Sequence, residues 1–345
     1  MFNEFGRVVR CRWAPAATVA VMAGTVGLAG LGGAAPASAS PGHLVNCNAN
    51  HQALQPAIDA ATPGETLLVA GTCTGAFTIS HNLTLLGIGQ AVLNGNQAGR
   101  TVAVGTAAQV HLDHLIITNG IGGINNEGTL TVSDSTVSGN SASGGPGGGI
   151  NNEANATLAV SGSTVRDNTS LGAGGAINSN GSFTVENSDL SGNSADNCGA
   201  IDSTGTAITA AVTHTVVHGN TARVADGGGI CNSAGSTMTI SGSTVFGNTS
   251  EFGAGVFDNE GTTSVIGSTV VRNTASHQGG GIYDVNGGAM TVTRSVVDGN
   301  TAQGGSGSGG GIFIASGTVT LHQAPVRNNK PDNCDPVGSV VGCTG

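Results

Sequence analysis

An asparagine returns at a nearly constant interval through most of this chain, and that periodicity constrains the fold more than any other feature. The positions are Asn119, Asn140, Asn168, Asn193, Asn220, Asn248, Asn273, Asn300 and Asn329, separated by 21, 28, 25, 27, 28, 25, 27 and 29 residues. Three residues before each stands an aliphatic: Ile116, Val137, Val165, Leu190, Val217, Val245, Val270, Val297 and Val326. Eight residues before lies a second apolar column, Val132, Val160, Val185, Val212, Ile240, Val265, Val292 and Leu321, with His111 the exception in the first repeat. A third column follows a Gly-rich turn: Ile124, Ile150, Ile177, Ile201, Ile230, Val256, Ile282 and Ile312. Each repeat is therefore expected to supply three short strands. Strands of about four residues have no second layer to cover their apolar side, so one repeat cannot fold alone.

Stacking the repeats resolves this. If each is one turn of a solenoid, equivalent residues line up about 4.8 Å apart, the strands pair in parallel, and the β-branched side chains fill the interior. Amides in the Asn column then hydrogen-bond along the axis as a ladder. Composition agrees. The 60 glycines have no three-residue period and prolines number nine, which excludes collagen, while 38% hydrophobic and 9% charged residues exclude disorder. The expected fold is all-β, a right-handed parallel β-helix of roughly eleven coils at about 27 residues each.

Residues 1–39 read as a secretory signal peptide: Arg7, Arg10 and Arg12 precede an apolar run from Ala14 to Leu31, and Ala37-Ser38-Ala39 offers a small-residue cleavage site. Residues 40–345 then form the β-helix domain, with an N-terminal cap region at 40–75, coils at 76–329 and a C-terminal cap at 330–345. Within the first part, 53–61 reads as a short amphipathic helix stopped by Pro63-Gly64, and strands are expected at 66–70, 76–79, 83–86 and 91–93. No stretch after the leader is long and apolar enough to span a bilayer. The net charge of −10 and the single lysine, Lys330, argue against nucleic acid or an anionic membrane as partner.

Beyond Cys11 six cysteines remain, an even number that in a secreted chain favours disulfides. Locality pairs Cys47 with Cys73 and Cys334 with Cys343. Cys198 and Cys231 lie around the same turn of adjacent repeats, offset in register, and form the third candidate pair.

The motifs Gly148-Gly149-Ile150-Asn151, Gly281-Ile282-Tyr283-Asp284 and Ser135-Thr136-Val137-Ser138-Gly139-Asn140 resemble those of secreted bacterial parallel β-helix repeat proteins of the pectin-lyase-like superfold. They are also similar to the GGAI and FxxN repeats of chlamydial polymorphic outer membrane proteins, with Val or Leu in place of Phe. The resemblance spans roughly residues 45 to 340. It implies that any enzyme chemistry would use acidic residues on one face, often with Ca²⁺ and an Arg or Lys base.

The best constellation of that kind is late in the chain. Asp258 and Asp284 occupy a column that elsewhere holds Asn126, Asn152 and Asn232, while Phe257, Tyr283 and Phe313 replace Asn125, Asn151 and Asn178. Asp202, Arg272, His277 and Arg294 are expected nearby. Two carboxylates about 5 Å apart suit an acid and nucleophile pair or a bound Ca²⁺, and aromatic faces suit sugar rings. Asp is equally a near-isostere of Asn in a turn ladder. The repeats vary by few residues, and basic residues to hold an acidic polymer are scarce. The expectation is therefore a secreted or cell-surface, non-catalytic protein in adhesion or glycan contact, without an obligatory cofactor. A polysaccharide lyase or glycoside hydrolase is the alternative. Outward Thr and Ser ranks, such as Thr129, Thr157 and Thr237 beside Thr131 and Thr239, leave ice binding as a minor one, with Ala159, Ala211 and Ala289 interrupting them.

Overall fold

The computed structural model describes residues 42–233 and 235–343; the leader at 1–39 lies outside them. The repeats stack as a parallel β-helix. A first sheet of eleven parallel strands runs from Phe77–Ile79 to Cys334–Asp335. A second sheet bends sharply, so that from Thr129 onward each coil contributes two pieces to it, for example Thr157–Ser161 and Thr164–Arg166. The expected three strands are joined by a fourth, very short one after the ladder Asn, such as Thr169–Ser170, which builds a third sheet of seven strands. Its inward residues, among them Ala142, Ala195 and Ala275, are too small to register as a hydrophobic column in the sequence.

The interior follows the columns. Ile150, Ile177, Ile201 and Ile230 are in register on the first sheet, and Val132, Val160, Val185 and Val212 on the second, all fully buried or nearly so. The ladder runs from Asn140 to Asn329. Each Nδ2 donates to Oδ1 of the next coil's Asn at 2.9–3.1 Å, and its second hydrogen goes to a backbone carbonyl, as from Asn168 to Val137 at 2.9 Å. The same Oδ1 accepts the backbone N–H of the preceding rung, from Asn140 to Asn168 at 3.1 Å. Buried amides are thus satisfied on every side, the condition under which they stabilise.

Asn119 does not belong to this ladder. Thr118 pairs with Ser138, so Gly120 stands opposite Asn140 and donates its N–H to Asn140 Oδ1 at 3.0 Å. Asn119 turns out at φ 58° and bonds Asn94 instead. The same one-residue shift removes the His111 exception, because the buried partner of Val132 is Leu112, and Ile117 rather than Ile116 faces Val137. A second ladder escapes the column analysis. Ser135, Ser163, Ser188, Thr215, Ser243, Ser268 and Ser295 sit at the bend of the second sheet, each hydroxyl after the first accepting the preceding rung's backbone N–H at 3.0–3.4 Å. Its sequence signal is a Ser or Thr five residues before each ladder Asn from Asn140 to Asn300, with Ala324 before Asn329.

The helix is Leu54–Ala60, with Leu54 and Ile58 buried against the first coil. Gln55 covers the edge of the first sheet: its amide donates to the Thr78 carbonyl at 3.1 Å and accepts the Thr78 N–H at 2.8 Å, as a neighbouring strand would. The strands expected at 83–86 and 91–93 form one irregular strand, Leu83–Asn94, and that expected at 66–70 extends over Glu65–Thr74. All three disulfides form, with Cα–Cα distances of 5.0 Å for Cys47–Cys73, 5.9 Å for Cys198–Cys231 and 6.3 Å for Cys334–Cys343.

Candidate functional site

Successive side chains of a strand point to opposite faces. Phe257 and Asp258 therefore cannot share a surface, nor can Tyr283 and Asp284, and the combined aromatic and carboxylate patch expected from the sequence divides in two. Register keeps each half together: Phe257 pairs with Tyr283 and Tyr283 with Phe313, while Asp258 pairs with Asp284.

The carboxylates face inward, in line with Asn126, Asn152, Ser179, Ser203 and Asn232, and both are wholly excluded from solvent. In earlier coils this column donates to the carbonyl of its own corner, as from Asn126 to Gly128 at 3.3 Å, Ser179 to Gly181 at 2.7 Å and Asn232 to Ser236 at 3.2 Å. An ionised carboxylate has no hydrogen to give there. Asp258 Oδ1 accepts from Asn232 at 3.4 Å, whereas Asp258 Oδ2 and both oxygens of Asp284 are buried without a hydrogen-bond partner. Burial raises the Asp258 carboxyl to about 6, against the opposing pull of Thr263 and Asn232. Burial, and then the Asp258 charge, raises Asp284 to about 7. Both carboxyls are thereby biased towards the protonated form, and the wall of the helix closes both off from solvent.

The aromatics form a stack on the outer side. Ring centroids are 5.5 Å apart from Phe257 to Tyr283 and 5.3 Å from Tyr283 to Phe313, with planes within 11° of parallel. Their faces are occupied by one another, and the Gly-rich turn of each coil folds back over them. Gly279, at φ 67°, passes so close to Tyr283 that a Cβ would lie 2.6 Å from the Tyr283 Cβ. Tyr283 and Phe313 are consequently only 9% exposed.

What stays open is a cleft of about 180 Å³ along the edge of the stack, lined by Asp226, Phe252, Phe257, Asn259, Tyr283, Val285 and Asn286. Phe252 tilts against Tyr283 at 5.8 Å and stacks on His277 at 5.0 Å, and His277 in turn meets Glu251 at 3.4 Å. Burial and then Glu251 raise the Asp226 carboxyl, and Asp226 in turn adds to the upward shift that burial imposes on Tyr283. On the opposite rim the Asn286 amide donates to Asn259 at 2.9 Å. Asp226, Glu251 and Phe252 fall outside the repeating columns because they lie in the segment between ladder Asn and Gly-rich corner. That segment varies most in length, and its variation was the available signal.

The remaining candidates separate. Asp202 shares the outer column two coils before Phe257 and lies against the Cys198–Cys231 bridge. With its sulfurs bonded to each other, this grouping offers a metal only one carboxylate. His277 stacks on Phe252 without lining the cleft itself, whereas Arg272 and Arg294 occupy positive-φ corners elsewhere, Arg272 beside Asp298. Asp113, His114 and Asp134 bring ligand-type atoms within 4.8 Å of one another on a more open corner, where Asp113 already accepts from Ser133. The Gly-rich run at 144–149 is held by Arg100, which donates to the carbonyls of Pro146 at 2.6 Å and Gly147 at 2.8 Å. The Thr and Ser ranks are in register on the outer second sheet, with Ala159, Ala211 and Ala289 within them.

No family model matches the chain, and no curated protein matches it. Two solved structures are similar. A pectate lyase, Pel9A, is 17% identical with a TM-score of 0.49, over 80% of this chain and 74% of that one. An alginate lyase from Paenibacillus sp. str. FPU-7 is 13% identical with a TM-score of 0.41, over 86% of this chain and 97% of that one. The chain's own strand register makes it a parallel β-helix.

Proposed function

We propose that this is an extracellular, non-catalytic β-helix that contacts carbohydrate through the cleft beside Tyr283. The observation that carries the reading is the convergence of a few polar groups on an aromatic floor: the Tyr283 hydroxyl, the Asp226 carboxylate and the amides of Asn259 and Asn286 border Phe252 and Phe257. Apolar walls with a small number of placed polar groups are the usual composition of a small-ligand site. At 180 Å³ the cleft is below the roughly 300–1,000 Å³ that encloses a drug-sized ligand, so it accepts one ring of a glycan at a chain end or branch. Three disulfides support an oxidising, extracellular setting.

The alternative reading, a lyase or hydrolase, relied on Asp258 and Asp284, and both are sealed inside the solenoid. A glycan array run in parallel with reducing-end and unsaturated-product assays distinguishes the two. Binding without turnover, weakened by Tyr283→Ala with the melting temperature retained, is the expected result. Turnover of any bound glycan overturns the non-catalytic reading, and unchanged binding by Tyr283→Ala overturns the site.

A further inference from the structure

Resting on the carbohydrate-contact reading, we infer that the cleft's ligand is a protonated amino sugar, the free-amine form of a hexosamine residue. The first ground is charge. Asp226 lines the cleft and is raised by burial and by Glu251, which identifies a carboxylate in a negative, poorly hydrated setting. Among the described residues no Lys or Arg lines it: Arg223 is held by Asp196 at 2.7 Å, Arg327 by Asp298 at 3.0 Å and Arg166 by Asp167 at 2.6 Å. The one nearby imidazole, His277, stacks on Phe252 beside Glu251.

The second ground is a free donor and acceptor at the cleft. Tyr283, 9% exposed as a residue, borders the cleft; its hydroxyl makes no hydrogen bond among the described residues and is not closed off from solvent, so it is open to a ligand. A ligand that seats here further desolvates both Asp226 and this hydroxyl. A neutral sugar leaves the carboxylate buried and uncompensated, and a uronate adds a second negative charge. An ammonium group supplies the compensating charge and the hydrogen-bond donors. The sugar ring then lies against Val285 and the aromatic edges, with Asn259 and Asn286 available to its hydroxyls.

Calorimetric titration with three oligosaccharides of equal length tests this at about pH 6: a fully deacetylated glucosamine oligomer, its N-acetylated counterpart, and a galacturonate oligomer. The deacetylated oligomer is expected to bind about ten- to a hundredfold more tightly than the acetylated one, the range of one charged hydrogen bond. That preference should disappear in Asp226→Asn and shrink with added salt. Equal or tighter binding of the acetylated oligomer or the galacturonate overturns the inference and leaves carbohydrate contact standing, whereas binding of none of the three overturns both. Circular dichroism and the melting temperature establish that Asp226→Asn is folded, and Tyr283→Phe, which removes only the hydroxyl, must also weaken the deacetylated oligomer if the site is as described.

Discussion

Replacing Asp202 with asparagine should stabilise the protein, and by an amount that depends on pH. Asp202 follows Asn125, Asn151 and Asn178 in the outer column of the first sheet, where Asn151 donates to Asn125 at 2.9 Å and Asn178 to Asn151 at 2.8 Å. The next rung is a carboxyl group, 4% exposed, raised from 3.8 to about 7 by burial. A raised folded-state value means that the native state binds the proton more tightly than the unfolded chain. Stability is then greatest below the unfolded value near 3.8 and declines as pH rises towards about 7. Holding the carboxyl at about 7 instead of 3.8 corresponds to a loss of about 4 kcal/mol once both states are ionised. Asp202→Asn has nothing to ionise, and its amide is placed to donate to Asn178 Oδ1, extending the ladder by one rung. In denaturant titrations followed by far-ultraviolet circular dichroism, variant and wild type should agree within about 1 kcal/mol near pH 4, and the variant should lead by at least about 2 kcal/mol near pH 8. Because other buried acids titrate in both proteins, the difference between them isolates this site. A gap that is the same at both pH values, or a variant less stable near pH 8, refutes the argument.

The inner pair obeys the same sign: as pH rises from about 4 through 6 to 7, stability should fall, and the Asp258→Asn, Asp284→Asn double variant should melt higher than wild type above that window and like it below. If millimolar Ca²⁺ restores the wild type at high pH, a cation rather than a proton neutralises the pair. Asn220→Ala removes a fully bonded rung and should lower stability by about 2–3 kcal/mol, whereas Asn119→Gly, at a positive φ outside the ladder, should change it by less than about 0.5 kcal/mol by the same chemical denaturation. Gly279→Ala combines a φ of 67° with a Cβ forced against Tyr283, so thermal melting should report a loss greater than about 1 kcal/mol and looser protection of the cleft in hydrogen exchange. Thiol titration of the unfolded, unreduced secreted protein should find all six cysteines of the three bridges blocked; one free pair contradicts the bridge assigned to it.

The repeat architecture was legible in the sequence because stacked coils impose identical demands on equivalent residues. A valine that fills the interior, an Asn whose amide must match the strand spacing, and a glycine at a corner each recur at one place per turn. The disulfides followed from locality for the same reason. Counting identical letters was less reliable where the chain had not yet settled into the period: Asn119 matched the ladder by identity, and only strand pairing showed Gly120 in its place. The division of Phe257 from Asp258 was also present in the sequence, as the two-residue alternation of any strand, and needed only to be applied. By contrast, the near burial of Tyr283 under its own Gly-rich turn, and its approach to Asp226 from the turn two coils earlier, came from the stack itself. Side-chain identity and spacing set which face of a strand a residue occupies, but the path of a turn between strands depends on what the coils above and below leave open. Tertiary structure alone therefore decided that the late aromatic column is a closed stack with one open edge, and that the buried acids lie behind it rather than beside it.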